Sequence, residues 1–520
     1  MSKSDHWHES FKSLPNLLDG LEPSWFRYMP PITRRPGRFL PLARPFSQAP
    51  AFASAERDVQ QKETAASWTS CRFDSYYIEM PVPRSLRRLN FYRLFPLSAL
   101  LAWFIGFASL TQAQAPDQAT DAREKAVKAV KLPKGYRYEI LAMGDLPEPV
   151  FLKFGPDGRL WYTGRRGNIW AYDFATKKSD PVAQLKVCWE PIPGRESNER
   201  GLHGIEFDPD FKNNGFIYLY YSPVYDNAWS NRVARFTVDN PKRASGLKEG
   251  SEKVLLEWIS SKGFHQGGAL AYNSHDGKLY VTVGDNNVSG DTEKFYNDPK
   301  NPPQVLSDLR GKVLRINLDG SIPKDNPFVG RADAHPAVFT WGHRNPYSIN
   351  LDPLNGRVYV GEVGYDRKED YEEINFIEAG HNYGWPRCIG PNIGTYGGDC
   401  PIPGATLPWI YWIHEGGANA TSGPLYRPTG GTNDFPKDFH GGMFYADYVR
   451  RWVRFAHVNS DNNTVTNTQP FATGFTGGIL AMTEGPDGAI YMAEYGGWFT
   501  PSPQDKISRI VPVALEPGAK

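Results

Sequence analysis

Four short stretches hold the residues whose types and spacing could do chemistry. The first, "GFHQGGALAYNSHDGKLYVTVGDNN" (263–287), opens on His265 and carries Asp285 at its far end. If the run between them folds back on itself, the two loops can meet. A carboxylate on one imidazole nitrogen would then fix the tautomer and leave the other nitrogen as a general base. The alternative is a loop histidine that is only solvated or hydrogen-bonded. In the second, "VFTWGHRNPYSINLD", Arg344 and Asn345 sit in a polar turn between apolar stretches. The planar fork of an arginine suits a carboxylate or a carbonyl oxygen that gains charge, and equally suits bracing of neighbouring loops.

The third stretch, "GEVGYDRKEDYEEIN" (361–375), is acidic and begins with glycine. Backbone carbonyls beside carboxylates are what a hard cation such as calcium requires, although the spacing is not that of an EF-hand and a solvated acidic loop would read the same way. The fourth, "PWIYWIHEGGANATSG", offers Trp409, Tyr411 and Trp412 as stacking surfaces for the apolar face of a sugar, followed by glycines that permit loop motion. Burial inside a sheet is the competing fate of these rings.

The elements that would position these residues recur along the chain. "FLKFGPDGRLWYTGRRGNIWAY", "GIEFDPDFKNNGFIYLYYS", "LAYNSHDGKLYVTVGDN", "INLDPLNGRVYVGEVG" and "AMTEGPDGAIYMAEYGG" each join an apolar strand to an alternating aromatic one through a turn containing Asp or Asn and Gly. That is hairpin chemistry, with glycine supplying positive φ. A less regular copy, "FPKDFHGGMFYADYVRRWVRFAHV", makes a sixth. Repeated hairpins over such a length predict an all-β, six-bladed β-propeller, with a paired sandwich or a β-helix as alternatives. Helix is expected mainly in "ATDAREKAVKAV".

The 520 residues include 50 Gly, 44 Pro and 14% aromatics with a formal charge of +1, which suits a turn-rich globular β protein and gives no reason to expect nucleic acid. A basic stretch from Arg84, an apolar run from about Leu94 to Leu110 and small residues after it have the order of a secretory leader. Residues 80–113 are therefore expected to be a signal peptide cut after Ala113. Residues 1–79 are expected to lie outside the native protein, with translation starting at Met80, or else to be disordered. The apolar run is short for a span of about 20 residues, so the mature form is expected to be periplasmic or secreted, with no stable membrane span. In such a compartment Cys388 and Cys400 can form a disulfide, and Cys188 is left over. Residues 114–131 read as a polar lead-in and 132–515 as the propeller.

In order along the chain, "ERGLHGIEFDPDFKNNGFIYLYYS", "HQGGALAYNSHDGKLYVTVGDN", "LRGKVLRINLDGSIPKDNPF", "GHRNPYSINLD" and "EEINFIEAGHNYGWP" resemble the soluble quinoprotein glucose/sorbosone dehydrogenase family. The resemblance covers roughly Leu132 to Val513. It implies a propeller that uses pyrroloquinoline quinone (PQQ) and calcium to oxidise an aldose or related carbohydrate to its lactone, passing electrons to a separate acceptor.

Carried over by position, the resemblance makes His265 the general base, Asp285 the acid that orients it, Arg344 the arginine at the quinone carbonyl and Asn345 a cofactor contact. Gly364 and Tyr365 fall where backbone carbonyls hold calcium. Glu199 falls near the sugar, where Trp409 and Trp412 are the candidate stacking residues, and Arg450 falls near a cofactor carboxylate. The sequence departs from the family at Gly478-Ile479-Leu480, where glucose-oxidising members have a pair of arginines for the cofactor's carboxylates. That departure keeps a second class open: a carbohydrate- or protein-binding propeller without catalysis. A calcium-dependent lactonase is a third alternative, but its expected cluster of acidic side chains is not evident.

Overall fold

Alternation along the predicted hairpins becomes six antiparallel sheets of four strands each. The first blade comprises Pro149–Phe154, Leu160–Gly164, Asn168–Asp173 and Lys178–Gln184, and the second Leu202–Phe207, Phe216–Tyr221, Ser230–Thr237 and Lys253–Ile259. The third comprises Gly267–Asn273, Lys278–Val283, Lys312–Ile316 and Val338–Trp341, and the fourth Pro346–Leu351, Val358–Glu362, Tyr371–Ile377 and Ile410–Ile413. Ala420–Leu425, Met443–Asp447, Trp452–Asn459 and Thr464–Thr473 form the fifth. Each of the six hairpins read from the sequence falls in a separate blade. This computed structural model describes residues 120–513 except 145, 147, 191–198, 225–229, 261, 287–299, 366–368, 396–397, 416–418 and 498–499. The expected signal peptide and residues 1–79 lie outside the described residues. Contacts divide the chain after Arg93, and everything described belongs to the second unit.

The sixth blade takes three strands from the C-terminal part, Gly478–Glu484, Ile490–Tyr495 and Lys506–Pro512, and its outermost strand, Tyr136–Met143, from before the first blade. That strand pairs antiparallel with Lys506–Pro512, so the two ends of the propeller are held by ladder hydrogen bonds. This closure was not legible in the sequence, because pairing across the whole length of a domain leaves no local pattern. The innermost strands of successive blades touch in order, from the first to the sixth and back to the first, closing the ring. A helix over 120–129 precedes the propeller, within the stretch expected to be helical.

Local chemistry explains the tight turns. In "GPDGRLW", Gly158 has φ +81°, while the Asp157 side chain accepts the Arg159 backbone N–H at 3.2 Å and Trp161 Nε1–H at 3.0 Å. The same motif in the sixth blade puts Gly488 at φ +85° and gives Asp487 the Tyr491 hydroxyl at 3.0 Å. Between blades the aromatics form the core. Phe435, Phe439, Phe444, Phe455 and Phe471 fill the layer between the fifth and sixth blades, with Phe439 and Phe455 centroids 4.7 Å apart. No helix among the described residues is long and apolar enough to cross a membrane.

In an antiparallel blade, the entry to the innermost strand and the turn from second to third strand lie at the same end. His265, Arg344, Asn345 and Glu199 are on entries. Asp285, Gly364, Tyr365 and Arg450 are on second-to-third turns. One face of the propeller therefore gathers them.

Candidate active site

His265 enters the third blade with φ +50°, in the left-handed region unusual for a side-chain-bearing residue. Two neighbours hold this backbone. The His265 N–H donates to Glu199 Oε2 at 2.8 Å, and the His265 carbonyl accepts from Asn286 Nδ2 at 3.2 Å. Only glycine fits opposite: a Cβ on Gly284 would lie 2.0 Å from the His265 carbonyl oxygen. The imidazole Nδ1 is 2.7 Å from Asp285 Oδ1, and the second carboxylate oxygen of Asp285 accepts Trp385 Nε1–H at 2.9 Å. Asp285 is itself seated by its N–H on the Arg344 carbonyl at 2.7 Å. A buried carboxylate acceptor at Nδ1 assigns the proton to Nδ1 and leaves Nε2 with a lone pair.

Arg344 and Asn345 enter the fourth blade next to this pair. Asn345 Oδ1 accepts the Gly267 N–H at 3.0 Å, tying the third blade's entry to the fourth's. Arg344 is buried; its Nη1 donates to the Val363 carbonyl at 3.2 Å, and its guanidinium lies 5.5 Å from the Trp385 ring centroid and 5.9 Å from that of Tyr365. Its backbone N–H donates to Glu362, whose other oxygen is 2.8 Å from His343 Nδ1.

The Val363–Gly364 peptide is clamped at both ends, by Arg344 at the carbonyl and by Glu372 at the Gly364 N–H, 3.1 Å away. Glu372 also receives His414 Nδ1 at 2.9 Å and the Ala420 N–H at 2.8 Å, which anchors the turn to the fifth blade. A Cβ at Gly364 would sit 1.8 Å from the Tyr371 carbonyl oxygen, so this position requires glycine. Among the described residues no group of three or more His, Cys, Asp or Glu side chains could hold a metal ion. The Gly364 and Tyr365 carbonyls remain the candidate donors.

Beside this cluster lies a cavity of about 80 Å³, open to solvent, whose walls include Arg165, Glu199, His203, Asn345, Tyr347 and Leu480. Burial pushes the Glu199 carboxyl above its ordinary value, opposed by His265 and Arg344. Burial, with Arg165 beside it, pushes His203 down to about 3, so its ring is neutral at physiological pH.

The structure brings together His265, Asp285, Arg344, Asn345 and Glu199, with Gly364 and Tyr365 on the adjoining turn. It does not bring Trp409 and Trp412 to this cavity. Trp409 donates to the Asn463 carbonyl at 2.6 Å and packs on Tyr359, while Trp412 donates to Asp447 at 3.0 Å and packs on Tyr445 and Trp452. An outer strand between two blades turns both rings into packing, the competing fate named for them above. Arg450 does not line the cavity either; it donates to the His414 carbonyl at 2.7 Å and pairs with Glu415 at 3.3 Å. Cys388 and Cys400 are bonded, three residues beyond Trp385, and Cys188 is a half-buried free thiol.

Sequence reasoning about single residues missed Trp385, Glu362, Glu372, Arg165 and Tyr347. For Trp385 there was a signal, since it stands in the family-like "HNYGWP". The two glutamates were lost among the charges of an acidic stretch.

Comparison with known proteins bears on what such a face does. Residues 146–497 match the Glucose / Sorbosone dehydrogenase family. Quinoprotein glucose dehydrogenase B of Acinetobacter calcoaceticus is 33% identical over 265 residues, which is 48% of this chain and 52%, about half, of that relative. Aldose sugar dehydrogenase YliI of Escherichia coli K12 is 26% identical over 360 residues, 67% of this chain and 87% of that one. The PQQ-bound aldose sugar dehydrogenase of Streptomyces coelicolor shares the fold at a TM-score of 0.54 and 23% identity, over 73% of this chain and 99% of that one.

Proposed function

The chain belongs to the glucose/sorbosone dehydrogenase family, and from that premise we propose that it is a PQQ- and calcium-dependent dehydrogenase that oxidises an aldose or related carbohydrate to its lactone. The observation that carries this reading is the buried His265–Asp285 pair at 2.7 Å beside the buried guanidinium of Arg344.

The chain's residues fit the cofactor. Arg344 Nε is buried and has no hydrogen-bond partner among the described residues, a donor that a carbonyl oxygen would satisfy. The bare Gly364 backbone suits carbonyl ligation of calcium. Arg344 and Asn345 would hold the quinone, and Gly364 and Tyr365 the calcium. Bound together, they supply an electrophilic hydride acceptor.

The protein's own part is proton transfer and placement. His265 Nε2 accepts the proton from the hydroxyl on the sugar carbon being oxidised, and Asp285 stabilises the resulting imidazolium. Trp385 holds Asp285 in that orientation. Glu199 fixes the His265 backbone and contributes a polar wall for the sugar's hydroxyls. Electrons taken from the sugar would leave to a separate acceptor, and the expected leader supports a periplasmic or secreted setting.

A second reading, a binding propeller without catalysis, is favoured by the uncharged Gly478-Ile479-Leu480. Reconstitution of residues 114–520 with PQQ and calcium, followed by dye-linked oxidation of a panel of aldoses, separates the two. Turnover that needs both additions and is lost in His265→Ala is expected. Binding of a sugar with no turnover would replace the first reading with the second.

A further inference from the structure

His203 stands in the wall of the cavity beside His265 and takes no part in the chemistry assigned so far. It lies on the innermost strand of the second blade, Leu202–Phe207, four residues beyond Glu199. The residue is 2% exposed, and neither ring nitrogen meets a partner in hydrogen-bond geometry among the described residues; the near polar group is the Glu199 backbone. Asn419 Oδ1, in the same wall, is likewise a buried acceptor without a partner among the described residues. We propose that His203 is a specificity residue of the site, hydrogen-bonded to a hydroxyl of the bound carbohydrate other than the one being oxidised. This rests on the carbohydrate reading above.

Packing seats this ring closely. The His203 carbonyl accepts the Thr163 hydroxyl at 2.6 Å, and the imidazole meets Tyr220 and Phe151 edge-on, with centroids 5.8 and 6.4 Å away. The segment that carries the base makes room for it. A Cβ on Gly268, three residues beyond His265, would lie 2.7 Å from the His203 Cβ. The run "HQGG" therefore presents His265 and leaves space for His203. Phe151 also stacks on Tyr347 at 5.3 Å, so His203 and Tyr347 share one wall.

Burial, with Arg165 beside it, keeps the His203 ring neutral at physiological pH, so it offers one N–H and one lone pair whichever tautomer is present. Left without a partner, such a buried group costs free energy. The cavity, about 80 Å³, has room for roughly five waters, and a sugar hydroxyl that displaces one of them donates and accepts as the water did. The unpaired acceptors here, an imidazole lone pair and the Asn419 oxygen, call for a donor. Carboxylates and carbonyls, which make up most of the quinone's rim, donate nothing, whereas a hydroxyl does. Val150 and Leu480, in the same cavity, suit the C–H face of a sugar ring.

The test uses the protein loaded with PQQ and calcium. The probe is anhydroglucitol, the cyclic glucose analogue without the anomeric hydroxyl, which binds without turnover; its monodeoxy derivatives, each missing one remaining hydroxyl, complete the set. By calorimetry, wild type is expected to bind one derivative about tenfold more weakly than the parent, the scale of one buried hydrogen bond. His203→Leu should weaken the parent about tenfold, bind that same derivative as wild type does, and leave PQQ affinity unchanged. His203→Gln, which keeps a donor and an acceptor, should stay within about threefold of wild type. If His203→Leu does not fold, NMR decides: the imidazole signal missing from His203→Gln should shift with the parent sugar and stay put with the weakened derivative. No binding of the set by wild type, wild-type affinity in His203→Leu, equal weakening of every sugar, or a loss confined to PQQ overturns the inference. Discrimination through His203 without oxidation of any aldose leaves it standing and removes the quinone reading. Oxidation with the discrimination unchanged in His203→Leu does the reverse.

Discussion

Asp285→Asn should cripple the reaction without disturbing the fold, through the identity of its second neighbour. Trp385 Nε1–H is a donor only, and at 2.9 Å it requires an oxygen from residue 285. Asparagine in that orientation turns its NH2 toward His265 Nδ1, now 2.7 Å from Asp285 Oδ1. Nδ1 must then accept, the proton moves to Nε2, and the nitrogen that should take the sugar's proton is blocked. The flipped amide restores the tautomer but leaves two donors facing each other, a penalty of about 1–3 kcal/mol that admits roughly a fifth to under a hundredth of molecules. Losing the carboxylate's charge on the imidazolium removes a further ~1.5–3 kcal/mol. Together these predict a fall in kcat of about 10² to 10⁴, read by single-turnover oxidation of an aldose. The double variant Asp285→Asn/Trp385→Phe removes the donor that forces the wrong orientation. It should run about tenfold faster than Asp285→Asn alone. A single variant within tenfold of wild type, or a double no faster than the single, would refute the reasoning.

Gly364→Ala would place a methyl 1.8 Å from the Tyr371 carbonyl oxygen, so calcium affinity measured by calorimetry should drop at least about tenfold, while circular dichroism stays that of the wild type. Burial, reinforced by neighbouring Glu362, raises the Glu373 carboxyl above its ordinary value. The folded state therefore holds a proton that the unfolded state releases, and stability is lost as pH rises through the raised value. Urea titrations across that window should show Glu373→Gln, which cannot ionise, losing less stability toward alkaline pH than wild type. Phe444 is fully buried among Phe435, Phe439, Phe455 and Phe471, so Phe444→Ala should cost about 3–5 kcal/mol in denaturant unfolding.

The blades were legible because their signal is local: a turn with Asp-Gly or Asn-Gly, and strands whose apolar positions alternate. Even the less regular sixth copy, "FPKDFHGGMFYADYVRRWVRFAHV", falls in a blade of its own, the fifth, spanning the short helical turn Lys437–Phe439 and the strands Met443–Asp447 and Trp452–Asn459. The pairing of Tyr136–Met143 with Lys506–Pro512 was illegible, since nothing near either strand specifies a partner so far along the chain. At the candidate site, His265 and Asp285 stood out because one hairpin joins them. Trp385, which orients Asp285 from a hundred residues away, did not. The tryptophans at 409 and 412 show the converse error. Aromatics suit sugar stacking and blade packing equally well, and only the strand's place at a blade interface distinguishes the two.

The most direct test of the central claim is an anaerobic single turnover. The protein loaded with PQQ and calcium is mixed with glucose, or with glucose deuterated at C1, and the quinone absorbance is followed by stopped flow. The account predicts bleaching that slows several-fold with the deuterated sugar and is absent in His265→Ala. Quinone bound but unbleached by any aldose in the panel would contradict it.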